Sequence, residues 1–246
     1  MQRRVAVIND AAHYVGPALA REFAARGHDL VLSRPADGLV DELVAAGAAV
    51  EVVDGVSGLR TQAEADALAE AALRRFGRID AATAHTGQIV TGPFVQATDA
   101  DLQKVIDGCV IAPYHFLRAV VPPMVQQGAG QVLLLTSATA ARPTRNAPLY
   151  SSMRAGATML ARNVADEVAH HGVQVNVVGT NYIDFPGLLQ AMGATTPEAR
   201  ERVERQVPMR RLGGLDELAA FCLAFLDGSS RFVTGQFVRF DGGWSS

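Results

Sequence analysis

The chain has 246 residues, 49% of them hydrophobic, and a formal net charge of −3. This composition predicts one α/β domain with a large buried core. The small net charge gives no indication of a nucleic-acid or anionic-membrane partner, and we expect neither. The two cysteines, Cys109 and Cys222, are too far apart in sequence to form a metal or redox motif. No signal-peptide pattern stands out at the N-terminus, which favours a cytoplasmic location.

Short apolar runs alternate with amphipathic stretches along the chain. The predicted strands are Val5–Ile8, Leu30–Leu32, Val50–Val53, Ile79–Ala84, Val132–Thr136, Val173–Val178 and Gln236–Phe240. The predicted helices are Pro17–Arg26, Ala36–Ala46, Gln62–Phe76, Asp99–Gln126, Pro148–His170 and Leu215–Leu226. This alternation predicts a Rossmann-like, doubly wound three-layer fold with a mainly parallel seven-stranded sheet, formed as one domain over residues 1–246. Left-handed helix caps are predicted at Gly27, Gly47, Gly77, Gly128 and Gly172.

Ligands of such folds bind beyond the carboxyl ends of the strands. The first strand ends in the loop Asn9–Gly16, the fifth ends at Ser137, and the sixth ends at Gly179–Tyr182. We therefore expect these three segments to converge on one pocket.

The first loop departs from the sequence of a dinucleotide site. Such a site has glycines spaced G-x-x-x-G-x-G or G-x-G-x-x-G, because the backbone must approach a pyrophosphate closely. Here Gly16 is the single glycine of the loop, and His13 and Tyr14 stand where the phosphates would lie. The sequence therefore predicts no bound cofactor, and it shows no metal-ligand pattern.

A second pattern indicates proton transfer. Ser137, Tyr150 and Arg154 are spaced S-x12-Y-x3-R. Residues four apart share one helix face, so the guanidinium of Arg154 is placed to stabilise the phenolate of Tyr150. Tyr150 would act as a general base, and Ser137 would donate a hydrogen bond to the substrate oxygen.

These motifs resemble the short-chain dehydrogenase/reductase superfamily over nearly the whole chain. The closing segments Val233–Gln236 and Asp241–Trp244 are similar to that superfamily's last strand. The sequence departs from that superfamily's pattern in three ways. The glycine loop is missing, Arg154 replaces a lysine, and Thr180–Ile183 replace a proline-glycine. Together these departures resemble the halohydrin dehalogenases. That family pairs T-x4-[F/Y]-x-G with S-x12-Y-x3-R, and Asn9 replaces its leading threonine here.

The resemblance implies a cofactor-independent carbon–halide lyase. Such an enzyme converts vicinal haloalcohols to epoxides with release of halide and a proton, and it opens epoxides with halide, azide, cyanide or nitrite. Asn181, Tyr182 and Ile183 would bind the halide, with Tyr14 lining the site. Relatives are commonly homotetramers joined through the two long helices. The apolar residues of these helices, such as Val105, Ile106, Met159 and Leu160, fit an interface as well as a core.

Other residues are candidates for the substrate pocket. They are His85, Thr139, Pro143, Thr144, Phe185 and Leu189, and the segment 184–207 is predicted to cap the pocket. Two local alternatives stay open: Tyr14 as an apolar plug, and Asn181–Tyr182 as an ordinary Asx turn.

Two other functions are also open. A divergent NADP-dependent reductase would use Ser137 and Tyr150, with Arg34 binding the 2′-phosphate. A non-catalytic scaffold or sensor would need none of the three residues of the S-x12-Y-x3-R pattern.

Overall fold

A parallel sheet of seven strands forms the centre of the computed structural model, which describes residues 3–246. Its strands are β1 (Arg4–Asn9), β2 (His28–Ser33), β3 (Val50–Val53), β4 (Ala81–His85), β5 (Gly130–Ser137), β6 (Val173–Thr180) and β7 (Phe237–Phe240). They lie in the order β3-β2-β1-β4-β5-β6-β7, and every pair is parallel. The order reverses between β1 and β4, where such folds place their ligands.

Helices cover both faces of the sheet. They are α1 (Gly16–Ala25), α2 (Leu39–Ala45), α3 (Gln62–Phe76), α4 (Asp99–Ile106), α5 (Ala112–Gln127), α6 (Pro148–Val168), α7 (Pro186–Ala191), α8 (Pro197–Glu204) and α9 (Leu215–Leu223). Residues of α3, α5 and α6 share one buried cluster with the sheet, and residues of α1, α2 and α9 share another. The predicted three-layer, doubly wound fold is therefore confirmed.

Burial on both faces explains the continuous apolar runs of the central strands. All eight residues of β5 are buried, as are seven of the eight residues of β6. Parallel strands covered by helices on both sides lose the polar alternation of a half-exposed sheet. The five glycines expected to cap helices all have left-handed φ values, between 72° and 89°.

The predicted helix Asp99–Gln126 is not continuous. A π-helical turn, Asp107–Ile111, separates α4 from α5. Of the two positions open to Val105, the structure shows the core: its side chain is fully buried in a cluster with Cys109 and Tyr150. The stretch Asp99–Gln127 is long and apolar enough to cross a membrane by composition, but half of it is buried in the fold, as in the core helix of a soluble protein.

Residues 184–212, which we call the α7–α8 segment, leave the sheet after β6 and return beside it. A bridge between Ile183 and Gly213 closes the base of the segment. The amide of Asp184 donates to the carbonyl of Gly213 at 2.8 Å, and the amide of Gly213 donates to the carbonyl of Tyr182 at 2.9 Å. A small apolar cluster inside the segment includes Ala194, Val203, Val207 and Leu212.

Candidate active site

Ser137 lies at the carboxyl end of β5, opposite Thr180 of β6. Its side chain is buried, and its Oγ accepts hydrogen bonds from the amide of Thr139 at 3.2 Å and the hydroxyl of Thr139 at 3.0 Å. The same Oγ donates to the carbonyl of Thr180 at 3.4 Å. That bond is long, so a ligand oxygen can replace Thr180 as the acceptor.

Tyr150 and Arg154 share one face of α6, which begins at Pro148. Proline is suited to this first helical position because it has no N–H to leave unpaired. The guanidinium carbon of Arg154 lies 5.0 Å from the ring centroid of Tyr150, and both side chains are buried. The predicted pair is therefore present, with the cation against the phenol ring.

Arg154 is an unusual buried cation. Among the described residues 3–246, its Nε and Nη1 atoms are buried and have no hydrogen-bond partner. Burial alone would lower the pKa of its guanidinium, but interactions with Tyr150, Cys109 and Tyr14 outweigh burial and raise the pKa above the usual value. The group therefore stays charged beside the Tyr150 hydroxyl.

Tyr14 projects from the loop after β1 into the same region. Its φ of 55° is left-handed, a conformation that side chains other than glycine rarely adopt. The ring centroid lies 4.8 Å from that of His85 and 4.8 Å from that of Phe185. Burial, only partly offset by a hydrogen bond with Thr180, raises the pKa of its phenol far above the usual value. Tyr14 is therefore neutral and cannot serve as the base.

His85 ends β4 and faces Tyr14, His13 and Arg154. Burial, together with the positive charge of Arg154 and the nearby His13, lowers the pKa of His85 to about 3. The imidazole is thus neutral near pH 7. It offers one donor and one acceptor nitrogen but no charge.

In the segment Asn181–Ile183, the amide of the central residue is bonded within the segment itself. The amide of Tyr182 donates to the Oδ1 atom of Asn181 at 3.0 Å, and Tyr182 has a left-handed φ of 55°. The segment lines a cavity of about 500 Å³ together with residues such as Phe221 and Phe240, and neither Tyr150 nor Arg154 lines that cavity. The arrangement is a local turn, and its amide is already satisfied.

The predicted pocket residues separate into three groups. His85, Thr139 and Phe185 lie beside Tyr14 or Ser137, as described above. Pro143 is exposed, and the hydroxyl of Thr144 donates to the carbonyl of Arg142 at 3.2 Å. Leu189 packs against the apolar cluster of the α7–α8 segment.

Sequence reasoning missed three residues around Arg154. Gly87 follows β4 and lies against the guanidinium, and Gly108 and Cys109 belong to the π-helical turn behind Gly87. One signal was present in the sequence: Gly87 stands two positions after the end of β4. The hydrophobic periodicity, however, does not indicate what such a glycine contacts.

Comparisons with known proteins agree over nearly the full length. A family model described as enoyl-(acyl carrier protein) reductase matches residues 11–245. The subunit BbsC of (2S)-[(R)-hydroxy(phenyl)methyl]succinyl-CoA dehydrogenase from Thauera aromatica is 32% identical, with 99% of this chain and 95% of that protein covered. The 7alpha-hydroxysteroid dehydrogenase of Escherichia coli K12 is 28% identical, with coverage of 98% and 93%. The crystal structure of levodione reductase is 27% identical and superposes with a TM-score of 0.89, covering 98% of this chain and 97% of that one.

These relatives overturn the resemblance to halohydrin dehalogenases. The expected activity, a nicotinamide-independent lyase acting on haloalcohols and epoxides, is wrong, because the similarity over the whole chain is to dehydrogenases and reductases. The error has a physical cause. A tyrosine with a cation one helical turn away exchanges protons with a substrate oxygen in either chemistry, so the motif does not distinguish them.

Proposed function

The chain belongs to the short-chain dehydrogenase/reductase family, and on that premise we propose that it is an oxidoreductase that interconverts a small alcohol and its carbonyl compound. The observation that carries this proposal is the similarity of nearly the whole chain to dehydrogenases and reductases. The placement of Tyr150 over the buried cation of Arg154, at the sheet edge where Ser137 ends β5, supplies the proton transfer that such a reaction needs.

Each side chain has a role that follows from its position. Tyr150 exchanges a proton with the substrate oxygen, and Arg154 favours the phenolate that remains when the proton has left. Ser137 donates a hydrogen bond to the same oxygen in place of its 3.4 Å bond to Thr180. His85, neutral beside them, lines the site without adding charge.

Such a reaction needs a hydride carrier, and we propose a nicotinamide dinucleotide phosphate. When bound, the nicotinamide supplies or accepts the hydride. The groups for its phosphates are present. Helix α1 begins at Gly16 and, in the described part of the chain, has neither a side-chain cap nor an acidic residue in its first turn, so its positive end is open to an anion.

Arg34 provides the second anion group of this proposal. It follows β2, its side chain is 55% exposed, and its Nη1 lies 3.7 Å from the carboxylate of Asp10. A guanidinium here is suited to a ribose 2′-phosphate, which NADP has and NAD lacks.

The loop after β1, as it stands, has no room for the diphosphate of the proposed cofactor until Tyr14 moves. Tyr14 lies between the start of α1 and the catalytic residues, with its ring on His85 and Phe185. Because the pyrophosphate of such folds crosses this loop, binding requires the ring of Tyr14 to leave both partners.

The test is a cofactor-dependent assay. Purified protein is mixed with NADPH and a panel of small cyclic and aromatic ketones, and loss of NADPH absorbance is followed. We expect turnover that falls at least about a hundredfold in Tyr150→Phe, whereas Tyr114→Phe, on the exposed side of α5, keeps it. Absence of NADPH binding and turnover would overturn the proposal, and binding without turnover by any substrate would favour a sensor.

A further inference from the structure

We propose that Gly87 and Gly108 are positioning residues that together hold the guanidinium of Arg154 beneath Tyr150. The proposal rests on the function above only in assigning a purpose to Tyr150. The contacts of the two glycines with their neighbours do not depend on that function.

Gly87 is in direct contact with the cation. A Cβ atom built on Gly87 would overlap Nη2 of Arg154 and lie 2.5 Å from Cζ and 3.0 Å from Nη1. No side chain fits between them, so the guanidinium lies flat against the backbone. Gly87 also has a φ of +112°, which favours glycine independently of the space.

Gly108 supports Gly87 from behind. A Cβ atom on Gly108 would lie 2.8 Å from the amide nitrogen of Gln88 and 3.1 Å from the Cα of Gly87. Both neighbours are backbone atoms, which cannot rotate away. Gly108 lies in the π-helical turn Asp107–Ile111, and such turns occur frequently at functional sites. The turn therefore packs directly against residues 87–88, and Gly87 in turn contacts Arg154.

Hydrogen bonds fix only part of this cation. Its guanidinium interacts with the Tyr150 hydroxyl, but Nε and Nη1 of Arg154 have no partner within residues 3–246, so packing has to hold those two atoms in place. Interiors are packed closely enough that a shift in one layer moves the next. A displacement of Gly87 would therefore move the guanidinium relative to Tyr150.

The variant that tests this is Gly108→Ala, with Gly156→Ala as its matched control. Gly108 does not have a left-handed φ, so alanine there adds a clash without backbone strain. Gly156 lies on α6 two residues after Arg154, and a Cβ atom there would meet nothing within 4 Å. Alanine at 156 should be neutral or slightly stabilise the helix.

The readout is the ultraviolet absorbance of the Tyr150 phenolate against pH, taken as the difference from the same protein carrying Tyr150→Phe. We expect Gly108→Ala to move the ionisation midpoint upward by about one pH unit, because the cation is displaced. In the direction of alcohol oxidation, where Tyr150 accepts the proton, the acidic limb of the pH–rate profile should move upward with it, and kcat should fall about tenfold near neutral pH with KM little changed. Gly156→Ala should leave all three unchanged.

A double-mutant cycle keeps the test decisive when Gly108→Ala is poorly folded. Arg154→Lys removes the planar group that touches Gly87, so it should relieve the clash. The thermal stability lost in Gly108→Ala should then be smaller in the Arg154→Lys background.

Two results would overturn the proposal: a folded Gly108→Ala protein with the wild-type phenolate titration, or additive stability losses in the cycle. The titration needs neither substrate nor dinucleotide. A failed reductase assay would therefore leave the role of the two glycines standing. An active enzyme in which Gly108→Ala does not change the Tyr150 titration would refute that role and leave the proposed function standing.

Discussion

The ring of Tyr14 packs against the ring of Phe185 with centroids 4.8 Å apart and planes inclined by 65°. This contact joins the loop after β1 to the first residues of the α7–α8 segment. Because we propose that a dinucleotide crosses the loop after β1, we expect its binding to break this contact. Any ligand that displaces Tyr14 also removes a packing partner of Phe185.

Replacing Tyr14 should strengthen dinucleotide binding. We expect Tyr14→Gly to bind NADPH about tenfold more tightly, because glycine adopts the left-handed φ of 55° without strain and leaves room for the diphosphate. NADPH fluorescence titration measures the affinity. Tyr14→Phe keeps the ring and should bind as the wild type does. Equal affinities for Tyr14→Gly and Tyr14→Phe would contradict this role of the ring.

Arg34 should decide between the two nicotinamide dinucleotides. Arg34→Ala should weaken NADPH binding about tenfold and leave NADH binding unchanged, because only NADPH has the 2′-phosphate. The affinities are compared at one fixed ionic strength, since exposed charge interactions are screened by salt. Arg118→Ala, an exposed arginine on α5, is the control and should change neither affinity. An equal loss of affinity for NADPH and NADH would show that Arg34 does not bind the 2′-phosphate.

His85 should make the fold sensitive to acid. Its folded pKa is lowered to about 3, whereas an unfolded histidine titrates near pH 6.5, so the unfolded chain binds the extra proton first. The contribution to stability is complete above about pH 6.5 and falls as the pH drops toward 3. Between pH 7 and 5 we expect a loss of about 1–2 kcal/mol in the free energy of unfolding, measured by urea denaturation.

The matched comparison for this acid sensitivity uses two histidines. His85→Gln should flatten the decline, and His170→Gln, at an exposed position, should leave it as in the wild type. An unchanged slope in His85→Gln would assign the acid sensitivity to other groups, such as the buried His28, whose pKa burial also lowers.

Assembly offers a further prediction. A homotetramer joined through the long helices stays a prediction, and Met159 on α6, which leaves 50% of its surface exposed, is a candidate for its interface. We expect Met159→Arg to lower the mass measured by light scattering at micromolar protein. Met209→Arg, 60% exposed and remote from α6 in sequence, is the control and should keep the wild-type mass. A monomeric wild-type protein would refute the predicted assembly.

The fold was predictable because its signals are local and repeated. Buried strands such as β5 and β6 read as unbroken apolar runs, and a glycine follows each of five helices at the expected cap. The break at Asp107–Ile111 was not predictable, because a π-helical turn keeps the apolar periodicity nearly intact while inserting one residue.

The candidate site was predictable in part. Tyr150 and Arg154 meet as expected, since helical spacing alone fixes which face they share. The role of Asn181–Ile183 was not, because sequence does not show that the amide of Tyr182 is taken up by Asn181. The reaction class was wrong for another reason: short motifs describe proton transfer, whereas the similarity of the whole chain separates dehydrogenases from lyases.

The bridge between Ile183 and Gly213 has a consequence for how such proteins diversify. It brings the two ends of residues 184–212 together, so the junction between this segment and the sheet is short and does not depend on the length of the segment. The entropy of closing a loop grows only slowly with its length. The stretch can therefore become shorter or longer at a small entropic cost, while its junction with the sheet stays the same.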